Sequence, residues 1–209
     1  MPPPRPMRNR VTPLGDIVAI PMRGAWLGNR GILHNGTEVV RFHRSALWII
    51  CTLRHKDWQL PQWQPHHFTV LFFHDEAVAF AAGHRPCALC RRGDYNAYRA
   101  AWVDALGGPV PKAWEMDRHL HGERIYRGTH RRRTHPIEWR RVPDGAFVRI
   151  ADEPWLAHRN AVVRWTTEGY GRPRPRPRSG TVEMITPPAT AAVLRAGYRP
   201  QIDEAALSG

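Results

Sequence analysis

A pair of cysteines two residues apart, Cys87 and Cys90, lies inside a stretch with helical periodicity, and this arrangement constrains the fold more than any other feature of the sequence. Residues 71–102 read LFFHDEAVAFAAGHRPCALCRRGDYNAYRAAW. Apolar residues recur there at steps of three and four, which are Ala77, Phe80 and Ala81 before the pair and Tyr95, Tyr98 and Trp102 after it. Asp75 or Glu76 suits the positive end of a helix, and Gly83 suits a helix end. The pattern predicts a helix, a tight cysteine turn and a second helix.

The cysteine turn suits a metal ion. Two intervening residues place the thiolates of Cys87 and Cys90 at one edge of a tetrahedron. A redox pair would instead follow a strand in a thioredoxin-like unit, whereas an alanine-rich helix precedes this one. The third cysteine, Cys51, ends the apolar segment at residues 47–51. Cys51 has two open interpretations, a third ligand or a small buried apolar residue.

Zinc takes four protein ligands at a structural site and three at a site with an open position. Three cysteines and one histidine would therefore close the site around Zn²⁺. His84 adjoins the turn and is our first candidate for the fourth ligand. The alternatives are His34, His43, His55 and His74.

Residues 72–92 carry the motif FF-x-D-E-A followed by A-A-G-H-R-P-C-x-x-C. This segment resembles the second half of the zinc module in the bacterial Ada DNA-methyl repair proteins. The resemblance implies zinc and a role on DNA. In that family an upstream C-x-x-x-C pair supplies the other two ligands, and one of its thiolates accepts a methyl group. Here only Cys51 stands upstream. The chain as a whole is also similar to bacterial proteins without an assigned activity.

The charge of the chain points to a polyanionic partner. Thirty-one Lys and Arg against 18 Asp and Glu give a net charge of +13, and lysine occurs only at Lys56 and Lys112. Arginine binds phosphate in a bidentate manner, and a basic surface binds nucleic acid through counterion release. A GC-rich genome would explain arginine in place of lysine, but not the net charge. The predicted nucleic-acid-binding residues are Arg23, Arg30, Arg85, Arg91, Arg92, Arg131, Arg132 and Arg133. For residues 131–133 a solvated loop is the alternative.

A third feature is a run of titratable side chains on the helix predicted for residues 111–124. Asp117 and His121 are four apart and share one face, with Glu123 close by. Such groups can bind a metal ion or act as an acid–base pair. A solvated helix face with charge pairs is the alternative.

The order of motifs predicts four segments. Residues 1–13 form a disordered basic tail. Residues 14–110 hold β-hairpins, including an Asn35-Gly36 turn of type I′, and the zinc-binding helices. Residues 111–141 hold a helix and a basic loop. Residues 142–209 hold short strands and the Arg-Pro repeat at 172–178, which is predicted to be a stiff arm for a protein partner.

These observations predict an α+β protein with an Ada-like helical zinc knuckle between β segments and a C-terminal small antiparallel sheet or barrel. The odd number of cysteines, the lack of a signal peptide and the lack of a transmembrane segment predict a cytoplasmic protein with no membrane partner. The leading functional hypothesis is a zinc-stabilised protein that binds nucleic acid, DNA in preference to RNA, in repair or processing. One alternative is an enzyme on nucleic acid, by methyl transfer to Cys51 or by hydrolysis with Asp117 and His121. Another is a partner-docking protein that uses the Arg-Pro arm.

Overall fold

The computed structural model describes residues 6–57 and 61–203, and it confirms the α+β class. The helices are α1 (Glu76–Ala81), α2 (Arg92–Leu106), α3 (Ala113–Arg124) and α4 (Pro188–Arg195). The strands of the N-terminal half are β1 (Arg10–Val11), β2 (Ile17–Val18), β3 (Trp26–Asn29), β4 (His34–Asn35), β5 (Glu38–Val39), β6 (Ile49–Cys51), β7 (Leu71–Phe73) and β8 (Arg85–Pro86). Those of the C-terminal half are β9 (His135–Glu138), β10 (Phe147–Ile150), β11 (Glu153–His158), β12 (Ala161–Thr166), β13 (Gly169–Pro175) and β14 (Thr181–Met184).

The N-terminal sheet is mixed and has the strand order β2-β1-β7-β3-β6-β8. The pairs β1–β7 and β6–β8 are parallel, and the other neighbours are antiparallel. Its central strand β3 needs glycine at position 28, because a Cβ there would lie 2.3 Å from Cε2 of Phe73. The aromatic ring of β7 therefore packs directly on the backbone of β3.

The C-terminal sheet is antiparallel throughout, with the order β13-β12-β11-β10-β14-β9. The predicted small antiparallel sheet is thus confirmed. The predicted alternative of a barrel is wrong for the described strands, because β13 and β9 lie at opposite edges and do not pair. The Arg-Pro repeat is part of this sheet rather than a separate arm, since residues 172–175 belong to the edge strand β13.

The two helices around the cysteines form as predicted. Asp75 accepts a hydrogen bond from the backbone N–H of Val78 at 2.8 Å and thereby caps α1. Gly83 follows the helix with φ +88°, a value that glycine tolerates best. All six residues of α1 are buried. Between Gly83 and the cysteines the chain forms the short strand β8, so the knuckle combines a strand with the two helices.

One apolar core runs through the described chain, from Val11 to Tyr198, and crosses the predicted boundaries at 110 and 141. The prediction of a disordered tail over 1–13 is wrong where β1 forms. Val11 is fully buried because β1 pairs with β7 at the register Arg10↔Phe72. Residues 1–5 of that tail lie outside the described residues.

The Asn-Gly hairpin forms as β4 and β5, but with a different turn. Asn35 pairs with Glu38, so the two turn residues are Gly36 and Thr37. Of these two residues, only Gly36 has a positive φ. This pattern suits a type II′ turn rather than the predicted type I′. Among the helices of the described residues, none has the length and apolar character that crossing a bilayer requires.

Candidate metal centre and the placement of the predicted residues

The structure brings all three cysteines together. Strand β8 runs parallel to β6, and the backbone N–H of Cys87 donates to the carbonyl oxygen of Ile50 at 2.9 Å. This register places Cys87 beside Cys51, and the short turn returns Cys90 to the same place. The three sulfur atoms lie within 4.8 Å of one another. A tetrahedral zinc site with bonds of about 2.3 Å has sulfur–sulfur edges of about 3.8 Å. The three sulfur atoms are therefore close enough to hold a metal ion together.

Hydrogen bonds to the sulfur of Cys87 stabilise its thiolate, which is the form that binds a metal ion. The backbone N–H of Leu89 donates to Cys87 Sγ at 3.4 Å, and the backbone N–H of Cys90 also points to this sulfur. The thiol of Cys51 donates to the same atom, and together these contacts lower the pKa of Cys87 to about 5. The contact with Cys87 and burial both raise the pKa of Cys51. The turn thus favours the thiolate form of Cys87 over that of Cys51.

The predicted ligand His84 lies outside the three-cysteine group, so its role as the fourth ligand stays a prediction that this geometry does not support. Residues three apart along an extended segment face opposite sides, so His84 and Cys87 diverge. The ring of His84 is fully buried 4.6 Å from that of Phe73, and its Nε2 accepts a hydrogen bond from Arg30 Nε at 3.2 Å.

The other candidate histidines are also outside the three-cysteine group in the described part of the chain. His34 contacts Thr69 Oγ1 at 2.6 Å through Nδ1. His74 contacts Asp203 at 2.6 Å, and its other ring nitrogen accepts from Trp165 Nε1 at 3.2 Å. The ring of His43 lies 5.1 Å from that of His121 and 5.6 Å from that of His130. His55 is half-buried and follows Cys51 by four residues.

Two of the predicted nucleic-acid-binding arginines are buried in ion pairs. Arg85 donates two hydrogen bonds to the carboxylate of Asp117, at 2.8 and 2.7 Å. Arg91 pairs with Glu76 at 2.8 Å and stacks on the ring of Trp26 at 3.9 Å. Their guanidinium groups already have protein partners, so nucleic-acid contact by Arg85 and Arg91 stays a prediction that this geometry does not support.

Two further arginines of that set also point their guanidinium groups into the fold, Arg30 fully buried and Arg132 half-buried. Arg30 is fully buried, lies 4.1 Å from the ring centroid of Trp48 and donates to the carbonyl oxygen of Gly15 at 3.0 Å. Arg132 donates to the carbonyl oxygens of Ala81 and Ala82, at 2.6 and 3.1 Å. These carbonyls end α1, whose C-terminus carries partial negative charge. Both guanidinium groups thus have internal partners, and nucleic-acid contact by Arg30 and Arg132 stays a prediction that this geometry does not support.

Arg124 completes this buried group, and the sequence analysis did not single it out as a structural residue. It donates to the carbonyl oxygens of Gly83 at 2.7 Å and Ala46 at 2.6 Å, and lies 3.9 Å from the ring of Trp48. Burial and the neighbouring guanidinium groups hold the pKa values of Arg30 and Arg124 well below the ordinary range, and burial lowers that of Arg132 to about 10. The guanidinium groups of these arginines are thus contacted by carbonyl oxygens and aromatic rings rather than by carboxylates.

The remaining predicted arginines lie nearer the surface. Arg23, Arg92 and Arg131 are exposed. Arg133 is half-buried and donates to the carbonyl oxygen of Gly122 at 2.7 Å. Only part of the predicted set is therefore available to a ligand.

The predicted acid–base residues face different partners and do not form a common site. Asp117 is held by Arg85. His121 Nδ1 lies 3.0 Å from Arg124 Nη2, and burial and Arg124 lower the pKa of His121 to about 4. Glu123 accepts from the backbone N–H of Ala189 at 2.9 Å. The alternative of a charge-paired helix face describes these residues better, although Asp117 is buried.

A groove that the sequence analysis missed lies at the edge of the C-terminal sheet. It encloses about 500 Å³ and is lined by Trp139, Arg140, Arg159, Asn160, Pro175, Arg176, Pro177 and Arg178. Four of these eight residues are arginines and none is acidic. In the sequence, the Arg-Pro repeat was the only indication of this groove. Arg159 lies in the turn between β11 and β12, and it reaches the groove only because β12 pairs with β13.

Comparison with protein-family models, curated proteins and solved structures gave no significant match to this chain. The resemblance of residues 72–92 to the Ada zinc module therefore stays a prediction that depends on those residues.

Proposed function

We propose that this is a zinc-stabilised protein that binds nucleic acid, with Zn²⁺ held by Cys51, Cys87 and Cys90. The observation that carries the proposal is the convergence of three sulfur atoms within 4.8 Å of one another. Thiolate ligands favour zinc among the common divalent metals, and N–H···S hydrogen bonds stabilise negative sulfur. The ion would join β6 to the start of α2 and so contribute directly to folding.

We assign the fourth ligand position to His55. This residue lies in the segment that leaves β6, four residues after Cys51, so a short loop can return its ring to the cluster. A ring nitrogen is an ordinary fourth ligand beside three cysteines.

The nucleic-acid part of the proposal depends on charge. The net charge is +13, and several arginines project from the surface rather than into ion pairs. Binding through phosphate contacts weakens steeply with salt, because each contact releases counterions. The resemblance of residues 72–92 favours DNA over RNA.

The zinc proposal is tested by elemental analysis and chelator competition on reduced protein. We expect about one zinc per chain in the wild type, little in Cys51→Ser, and weaker retention against a chelator in His55→Ala. The exposed His67→Ala is the matched control and keeps wild-type zinc. Full zinc in Cys51→Ser would contradict the site, and full retention in His55→Ala would contradict the fourth ligand alone.

The nucleic-acid proposal is tested by fluorescence anisotropy with labelled DNA and RNA across a salt series. We expect binding at low salt with a linear loss of log affinity as log salt rises. An absence of binding to both at low salt would overturn this part and leave the zinc site untouched.

A second candidate function is methyl transfer from a DNA phosphotriester to Cys51. Cys87 receives backbone N–H groups, whereas the contacts of Cys51 in the described residues are with the other two cysteines. A metal-bound thiolate without N–H donors keeps more of its nucleophilicity. The Cys51 sulfur would bond to the methyl carbon while the carbon–oxygen bond breaks, and the oxygen would leave with the electron pair as a phosphodiester anion.

This candidate is tested by incubation with an oligonucleotide that carries a methyl phosphotriester. Peptide mass spectrometry should show one added CH₂ on Cys51 in the wild type and none on Cys87 or Cys90. An unchanged Cys51 in zinc-loaded protein that binds the oligonucleotide would exclude it.

A further inference from the structure

We infer that the groove at the edge of the C-terminal sheet binds the sugar–phosphate backbone of a single nucleic-acid strand. This inference deepens the proposed function, on which it rests, by locating the contact surface away from the cysteine cluster. We call the groove, lined by the eight residues given above, the arginine groove.

Arg176 forms the floor of the arginine groove and is fixed in place. Its backbone N–H donates to the carbonyl oxygen of Asn160 at 2.9 Å, which continues the pairing of β13 with β12. Its guanidinium donates to Asp144 Oδ1 at 3.1 Å and to the carbonyl oxygens of Trp139 and Val142. These bonds tie the sheet edge to the 3₁₀ turn at residues 139–141. The floor is therefore preorganised, which lowers the entropy lost on binding.

The rim of the arginine groove carries exposed positive charge. Arg159 and Arg178 are exposed, and neither forms an ion pair within the part of the chain that the structure describes. The side chain of Arg140 is 76% exposed and contacts Glu138 at 2.8 Å, a surface pair that contributes little. No carboxylate lines the groove. An anion entering it would find guanidinium groups without having to displace strong buried ion pairs.

The neighbouring strand extends this charge in a regular row. Residues 172, 174, 176 and 178 are all arginine. Arg172 and Arg174 belong to β13, where a period of two places them on one face at an interval of about 6.6 Å. This interval is close to the spacing of phosphates along an extended strand of nucleic acid. Arg174 lies 5.0 Å from the ring centroid of Trp155, which restricts its orientation. Arg172 and Arg174 therefore extend the positive charge of the arginine groove along β13.

The prolines make a peptide strand a poor occupant of the same edge. The N–H groups of the arginines point toward β12, as Arg176 does toward Asn160, so the intervening positions face outward. Positions 173, 175 and 177 are proline and have no N–H to offer. A peptide strand added at this edge would lack half of the backbone hydrogen bonds of a β-ladder. A phosphate group, in contrast, binds to the arginine side chains alone. The edge is thus suited to a polyanion.

The aromatic side chains predict contact with the backbone rather than with bases. Trp139 in the groove wall is buried, and Trp155 lies under Arg174, so neither ring offers a free face for stacking. Binding should accordingly be sensitive to salt and tolerant of base sequence.

The test compares two double variants that each remove two charges. Arg159→Ala with Arg178→Ala removes the rim of the arginine groove, and Arg41→Ala with Arg54→Ala removes two exposed arginines of the N-terminal half that lie outside the predicted nucleic-acid-binding set. Anisotropy with labelled oligothymidylate, across a salt series, gives affinity and slope. We expect the groove variant to bind several-fold more weakly, with a slope shallower by about 1.4 for two lost contacts to a single strand. The N-terminal variant should stay close to the wild type.

Each outcome decides between the two proposals. Equal losses in the two variants, or a larger loss in the N-terminal one, would overturn the arginine groove while the proposed function stands. Wild-type protein that does not bind at low salt would overturn the proposed function itself. Wild-type protein that binds only the duplex with oligodeoxyadenylate would overturn the single-strand assignment. Circular dichroism of each variant checks that the fold is retained.

Discussion

The arginines of the N-terminal half and those of the C-terminal sheet edge use the same side chain for opposite purposes. Around the cysteine cluster, Arg85 and Arg91 are buried against carboxylates, while Arg132 binds carbonyl oxygens at the end of α1. At the sheet edge, Arg159 and Arg178 lie in solvent. The net charge of the chain therefore overstates the positive charge on its surface, because several arginines are buried against partners inside the fold.

The strongest test of this contrast is Arg85→Ala. The substitution leaves the buried carboxylate of Asp117 without its two hydrogen bonds, and removing one partner of a buried pair destabilises a protein by about 3–5 kcal/mol. Urea denaturation of Arg85→Ala and of Arg178→Ala measures the effect against a surface arginine. A loss under about 1 kcal/mol for Arg85→Ala would place this residue with the surface arginines.

A smaller loss is expected from Arg132→Met, which keeps most of the apolar stem and removes the guanidinium. The carbonyl oxygens of Ala81 and Ala82 then lose a charged donor, a change of about 1.5–3 kcal/mol for hydrogen bonds of this kind. Relief of repulsion with Arg30 and Arg124 offsets part of it. Chemical denaturation gives the net value. A stabilised variant would mean that repulsion within the buried group outweighs its hydrogen bonds.

A third test concerns reactivity in the N-terminal region. The thiolate is the reactive form of cysteine, and the pKa of Cys87 is about 5. In metal-free protein, alkylation of Cys87 should be nearly independent of pH at neutrality and fall to half near pH 5 as the thiolate protonates. Iodoacetamide labelling followed by peptide mass spectrometry measures this profile, with Cys90 as the internal reference. A midpoint near the value of an ordinary thiol, about 8.5, would contradict the hydrogen bonding described for the turn.

The smallest effect is expected from the rim of the arginine groove. The double variant Arg159→Ala with Arg178→Ala removes exposed side chains without ion pairs in the described residues, so its free energy of unfolding should stay within about 0.5 kcal/mol of the wild type. Thermal and urea unfolding measure it. A loss of several kcal/mol would show that these arginines, too, are structural, and would erase the contrast between the two regions.

The part of the fold that local rules govern was predictable from the sequence. The cap at Asp75, the stop at Gly83 and the apolar faces of α1 and α2 depend on residues within a few positions of one another, and so does the turn between Cys87 and Cys90. Local patterning also marked the short strands of the C-terminal sheet.

The partners of the charged residues were not predictable, because they depend on tertiary contacts. Arg85 meets Asp117 only when α3 packs beside β8, and nothing near either residue in the sequence indicates the pair. His84 lies three residues from Cys87, yet the strand geometry between them turns its ring into the core. The arginine groove has the same origin, since Arg159 and Arg178 approach each other through the pairing of β12 with β13.

Helix α1 has a consequence for how the molecule unfolds. Six residues are too few for a helix to persist alone in water, so α1 forms only when its surroundings are in place. Asp75 at its start accepts from Tyr170 of the C-terminal sheet, and Glu76 accepts from Tyr198 and the backbone of Gln201. The strand that leads into it, β7, belongs to the N-terminal sheet. Loss of either sheet therefore removes the support of α1 and, with it, the contacts that hold the other sheet. The two halves should melt in one cooperative transition.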